Sequence, residues 1–208
     1  IPNGVELTRF QSTRPEIERA SLGLREGDKV LIYVGRLGPE KNLMMLLRAF
    51  AGAQAAVDNL HLIVAGGGVD LDNLRDWCDR AGIADRVHFL GELPYDAIPT
   101  YLHMADAFVT ASTSEVHPLS LIEALAAGLP VIGIQSPGVE DIIQDGVNGF
   151  LCRNDIADFT ARQVRMMLDG QLRMSLGARA ADSAQRYDIS TTSSQLFEHY
   201  NTLAANHN

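Results

Sequence analysis

Glu115 and Glu123 stand eight residues apart, and the chain changes character between them. Glu115 lies in a Ser- and Pro-containing loop after the apolar run Ala107-Phe108-Val109. Glu123 lies about one turn into a helical pattern over residues 119–127, whose other positions are mostly Leu, Ile and Ala. A carboxylate in so apolar a helix is rare unless it is paired or meets a ligand. Two carboxylates could act as acid and base. A glycosidase pair, however, must flank one bond at a set separation. A loop and the helix that follows it better suit contacts to different parts of one ligand. Ionised carboxylates accept hydrogen bonds, and hydroxyl groups are natural donors to them.

A second set of residues is cationic. Gly35-Arg36-Leu37-Gly38-Pro39-Glu40-Lys41 leads from an apolar run into a helical pattern. Glycine lets backbone approach a ligand closely. A helix start favours anions, so Arg36 and Lys41 make sense there if a phosphate sits between them and the helix. Gly66-Gly67-Gly68 offers a weaker phosphate nest. It is not a dinucleotide fingerprint, because Leu71 stands where the third glycine belongs. No Walker pattern occurs. His117 beside Glu115 reads on its own as a solvated loop histidine. A ligand with phosphates between two polyols would use both carboxylates and both cations, and a sugar nucleotide has that make-up.

The elements that must position these groups alternate. Short β-branched runs predict strands over residues 29–35, 60–65, 86–90, 107–110, 131–134 and 149–152. Helical patterns lie over 40–57, 71–81, 95–104, 119–127, 155–169, 171–187 and 189–203, with shorter pieces at 15–22 and 139–144. Met44, Met45 and Trp77 read as core. Alternation of this kind predicts an α/β fold, a Rossmann-like parallel sheet with helices on both faces. Four loops then share one rim of the sheet, at residues 35–41, 66–70, 91–96 and 112–118, where ligands bind in such folds.

The 208 residues suffice for one domain with a sizeable core. A net charge of −9 argues against a nucleic-acid surface and against strong attraction to anionic lipid. Two cysteines and scattered histidines suggest neither a disulfide framework nor a metal cluster, and point to a reducing, cytoplasmic compartment. The opening Ile1-Pro2-Asn3-Gly4-Val5 reads as the tail of a linker. Residues 1–14 are therefore expected to be hinge and residues 188–208 a terminal helix.

In their order, these pieces resemble the C-terminal, donor-binding domain of retaining glycosyltransferases of the large group 1 family, one half of the two-domain GT-B fold. Gly35-Arg36 with Glu40-Lys41-Asn42 is similar to the family's diphosphate loop. Arg86-Val87-His88-Phe89-Leu90-Gly91 is similar to the strand before its base-binding loop. Glu115 and Glu123 match its spaced glutamate pair, and Val147-Asn148-Gly149-Phe150-Leu151 its closing element. Two departures stand out: Pro118 replaces a frequent glycine, and Pro137-Gly138 replaces a Gly-Gly pair.

The resemblance implies that Arg36 and Lys41 hold the donor diphosphate and that Glu115 accepts from sugar hydroxyls, these three forming the catalytic set. It implies that Glu123 meets the ribose diol, that backbone at Gly91, Glu92 and Leu93 meets the base, and that the Leu119 and Ser120 amides approach the phosphates. Gly35, Gly66 and His117 complete the expected donor site. It further implies a UDP-sugar substrate, no metal or other cofactor, and an N-terminal acceptor domain beyond this chain. The acceptor would be a lipid or glycan, because Pro94-Tyr95-Asp96-Ala97-Ile98-Pro99-Thr100-Tyr101-Leu102 looks like enzymes that glycosylate diacylglycerol. Peripheral membrane contact would then run through the acceptor domain. Alternative readings are another GT-B enzyme, such as a nucleotide-sugar epimerase, and a non-catalytic nucleotide-binding module.

Overall fold

Six short runs form the strands of one parallel sheet in a computed structural model that describes residues 2–11 and 19–205. They are β1 (Lys29–Val34), β2 (Leu60–Ala65), β3 (Val87–Gly91), β4 (Ala107–Thr110), β5 (Val131–Ile134) and β6 (Gly149–Cys152). Their order is β3-β2-β1-β4-β5-β6. The chain steps outward from β1 through β2 to β3, then returns to place β4 on the other side of β1. Between β1 and β4 lies the switch point that leaves a crevice at the carboxyl ends of the strands.

Side-chain alternation along β1 divides the core in two. Leu31 and Tyr33 point to one face, Val30 and Ile32 to the other. The first face is covered by α2 (Leu43–Gln54), α3 (Leu71–Ala81) and α6 (Ile156–Leu168), through Leu46, Phe50, Leu74 and Phe159. The second is covered by α1 (Leu7–Gln11), α4 (Ile98–Met104) and α5 (Leu119–Ala126), through Phe10, Leu102, Leu121 and Leu125. α7 (Gly170–Ala184) gives Leu176 to the first face and Ala180 and Ala184 to the second. Cys78 on α3 and Cys152 on β6 are free, buried thiols, and burial pushes them up to about 11 and about 12.

Several boundaries differ from the sequence reading. The helix expected over 40–57 is interrupted. A 3₁₀ turn at Pro39–Lys41 ends at Asn42, whose φ of 50° is left-handed, and α2 starts only at Leu43. Residues 139–142 form turns and 143–144 are irregular, so no helix runs over 139–144, and the fully buried Asn148 organises the stretch. The Asn148 side chain donates to the Ile142 carbonyl at 3.0 Å and accepts from the Gln144 amide at 2.8 Å. The helix expected over 95–104 splits into a 3₁₀ turn (Tyr95–Ala97) and α4. Of the piece expected over 15–22, residues 15–18 lie outside the described residues, and Arg19–Leu22 is a 3₁₀ turn. Met45 is buried, but Met44 and Trp77 are only partly covered.

The stretch expected as hinge packs in part on this domain. Val5, Leu7 and Phe10 are buried in the second core. The Val5 amide donates to the Tyr187 carbonyl at 2.9 Å, and Ile189 N donates back to the Val5 carbonyl at 3.0 Å. This stretch is part of the fold, tied to the start of α8 (Ile189–Ala205). α8 itself exposes Leu196, Phe197, Tyr200 and Leu203. Phe10→Ala is expected to destabilise the protein by about 3–5 kcal/mol, because it empties a fully buried ring site. Urea unfolding measures this, and a loss below about 1 kcal/mol would show that α1 is not core.

Candidate functional site

The loops after β1 and β4 meet over the switch point and enclose a cleft of about 240 Å³. Gly35, Arg36 and Lys41 line it from one side, and Glu115, Pro118, Leu119 and Ser120 from the other, with Tyr33 between. Lys41 Nζ lies 2.6 Å from Glu115 Oε1, with side-chain exposures of 18% and 15%. The expected diphosphate cation and the expected sugar carboxylate thus form one ion pair across the cleft. Arg36 is far more open and pairs with Glu40 on its own loop. The Tyr33 hydroxyl donates to the Arg36 carbonyl at 2.9 Å. Burial raises the Tyr33 phenol, and the charges of Glu115 and Glu40 raise it further, so it stays a donor.

Small groups join the loops from below. The Ser112 hydroxyl and the Thr113 amide both reach the Glu40 carbonyl, at 3.3 and 3.4 Å. The Ser136 hydroxyl donates to the Ser112 carbonyl at 2.9 Å. Gly138 has φ of 76°, and a Cβ there would come within 2.6 Å of the Glu115 carbonyl. Its glycine is therefore required for the Glu115 loop to lie where it does.

α5 begins inside the cleft. Pro118 occupies its N-cap, no side chain caps it, and its first turn holds no acidic residue. The helix dipole and the amides of Leu119 and Ser120 therefore add positive potential beside Arg36 and Lys41. This arrangement suits an anion with several oxygens. Among the described residues, no group of three His, Cys, Asp or Glu side chains is placed to hold a metal ion.

Further along α5, Glu123 is only 6% exposed. Among the described residues no Lys or Arg pairs with it. Its partner is Tyr95, whose hydroxyl donates to Glu123 Oε1 at 3.0 Å. Burial raises the Glu123 carboxyl above its ordinary value, and the Tyr95 hydrogen bond holds it back. The phenol is pushed up to about 12 by burial and by the Glu123 charge.

The remaining expected residues fare differently. Gly66 is not an open nest: its amide donates to the Gly91 carbonyl at 2.7 Å, and a Cβ there would lie 1.9 Å from the Gly35 carbonyl. It serves to pack the loop after β2 against the loop after β1. Gly91 ends β3 at φ of 69°, the Glu92 side chain lies against Gly67, and Leu93 packs on the second core. His117 is half-buried rather than solvated. Its Nδ1 accepts from the Asn3 amide at 3.3 Å, its carbonyl accepts from Asn3 Nδ2 at 3.0 Å, and Tyr187 meets its ring edge-on. Burial lowers the His117 imidazole below its ordinary value. Sequence reasoning missed Tyr33, Tyr95, Gly138 and Asn3 as supports. Two of these carried a signal, Gly138 as part of Pro137-Gly138 and Tyr95 as an aromatic hydroxyl on the same strand-end rim as the glutamates.

The chain belongs to the glycosyl transferases group 1 family, whose model matches residues 15–183. It is 37% identical over 158 residues to the alpha-monoglucosyldiacylglycerol synthase of Streptococcus pneumoniae, covering 73% of this chain and 35% of that protein. It is 33% identical over 209 residues to a D-inositol 3-phosphate glycosyltransferase of Mycobacterium marinum, covering 95% of this chain and 43% of that protein. The fold matches a structure of Anabaena HepE in complex with UDP and glucose, with TM-score 0.86, 25% identity, and coverage of 96% of this chain and 55% of that one. The chain spans about a third to a half of the length of the curated relatives it matches.

The burial of Glu123 has a thermodynamic consequence. Its carboxyl is raised in the native state. Stability from this group is thus fully present below the unfolded value and is lost as pH rises through the folded value. Glu123→Gln keeps the shape and removes the charge. It is expected to raise stability at neutral pH by about 1 kcal/mol. The gain should fade toward about pH 3, below the ordinary Glu value, where the carboxyl is protonated in both states. Thermal unfolding across pH measures both, and an equal or lower Tm at neutral pH would contradict it.

Proposed function

We propose that the chain is the donor-binding domain of a retaining glycosyltransferase, which moves a sugar from a nucleoside diphosphate sugar, a UDP-sugar, to a lipid or glycan acceptor. The observation that carries this reading is the cleft in which Arg36, Lys41 and an uncapped helix start face the Glu115 carboxylate. Cations and free amides suit a diphosphate, and carboxylates suit hydroxyls on either side of it. The solved relative with UDP and glucose supports the same occupant.

In this mechanism Arg36, Lys41 and the amides of Leu119 and Ser120 stabilise charge on the departing diphosphate, which is electrostatic catalysis. Glu115 accepts from sugar hydroxyls and Glu123 from the ribose diol. Neither is free to act as a nucleophile. The acceptor then attacks from the face that the diphosphate leaves, so that configuration is retained. The Lys41–Glu115 pair holds both groups in register before the donor arrives, and each keeps capacity for further contacts, two donors on the ammonium and the second oxygen of the carboxylate. No cofactor or metal enters this scheme.

The acceptor half lies outside this chain. The diacylglycerol-directed relative supports a lipid acceptor. Among the described residues no helix is long and apolar enough to cross a membrane. We assign membrane contact to the acceptor half, in keeping with the lipid-directed relative.

Arg36→Ala is the cleaner test of the diphosphate role, since its own pairing is at the surface. It is expected to weaken UDP binding by about 1–3 kcal/mol and uridine binding far less. Lys41→Ala should do the same and also loosen the Glu115 loop. Calorimetric titration of both ligands decides: equal losses for UDP and uridine would sink the diphosphate assignment.

A further inference from the structure

The cleft explains Lys41 and Glu115, but Glu123 depends on a residue from another part of the rim. Tyr95 belongs to the turn after β3 (Tyr95–Ala97), and Glu123 to the second turn of α5. The phenol bridges them at 3.0 Å. Its ring is itself held from outside. Phe10 meets it edge-on with centroids 5.9 Å apart, and the Arg9 guanidinium sits 5.1 Å from its centroid. Arg9 is anchored in turn by ion pairs to Asp96 and Glu6. Tyr95 is half exposed, and these two contacts on one side of its ring are what hold the hydroxyl toward Glu123. Only Oε1 of Glu123 is engaged, and Oε2 accepts no hydrogen bond from the described residues.

We propose that Tyr95 is a positioning residue for nucleotide binding: its hydroxyl fixes the Glu123 carboxylate so that the free oxygen is presented to the ribose diol. The proposal rests on the donor-site reading above. Two further features agree with it. Glu123 is buried without a cation, so a single neutral donor is what favours its charged form over the proton that burial would add. The phenol stays protonated across the working pH range, so it cannot exchange roles with the carboxyl. The other charged groups near this pair are Arg9 on α1, Glu6 just before it and Asp96 beside Tyr95, and the first is already paired with the other two.

Tyr95→Phe tests this, because it keeps the ring contacts to Phe10 and Arg9 and removes only the hydroxyl. Binding of UDP and of 2′-deoxy-UDP is measured by calorimetry, with GDP and its deoxy analogue used if UDP does not bind. The variant is expected to lose about five- to tenfold in affinity for UDP and less than about twofold for the deoxy analogue. The loss should deepen as the pH is lowered, because the carboxyl without its donor takes up a proton sooner. The deoxy analogue carries the same phosphates and cancels their titration. In a Glu123→Gln background, Tyr95→Phe should cost clearly less than it does alone. Equal losses for the two ligands, or none, would overturn the proposal while leaving the donor site standing. A wild-type protein that binds no nucleoside diphosphate would overturn both.

Discussion

The ion pair between Lys41 and Glu115 is the constraint on which the site depends. It joins the loops after two neighbouring strands, β1 and β4, through residues 74 apart in sequence. Both side chains are mostly covered. Such a pair contributes little net stability, but losing one partner strands the other charge at a cost of about 3–5 kcal/mol. The pair therefore selects one arrangement of the two loops. Everything beneath it conforms: Ser112 and Thr113 share the Glu40 carbonyl, Ser136 holds Ser112, and Gly138 leaves room for the Glu115 backbone. The cleft is built before any ligand enters, which lowers the ordering cost of binding.

Glu123 follows the opposite logic. It has no cation and relies on one phenol from a third loop. The two carboxylates thus have different partners, an adjacent cation for Glu115 and a neutral phenol in a buried setting for Glu123. The difference arises from position: Glu115 faces the crevice where cations converge, whereas Glu123 lies deeper along a helix packed on the second core.

Much of the fold was legible because its signals are local. Runs such as Val30-Leu31-Ile32-Tyr33 and Leu62-Ile63-Val64 can hardly be anything but buried strands, and their alternation with amphipathic helices leaves few topologies. The errors share a physical cause, since each depended on contacts distant in sequence. Leucine spacing ran on through Asn42, yet a left-handed residue breaks the helix there so that Lys41 faces Glu115. Val5, Leu7 and Phe10 gave no period because the helix here is a single turn, held by packing and by bonds to partners distant in sequence such as Tyr187 and His103. The glutamates and cations were legible by type. Their pairing was not: no spacing rule joins Lys41 to Glu115 or Tyr95 to Glu123. Gly66 was legible as special, but its neighbour proved to be the protein's own Gly35 carbonyl.

The two buried thiols give the protein a pair of internal clocks. Cys78 backs β3 at one edge of the sheet, and Cys152 lies within β6 at the other. With pKa values near 11 and 12 and no solvent access, neither forms appreciable thiolate in the closed state. Alkylation by a thiol reagent then proceeds only through transient opening, and its rate reports how often each edge separates from the centre. The cleft sits between these two reporters, so the breathing of either flank can be timed separately while the site is empty or filled.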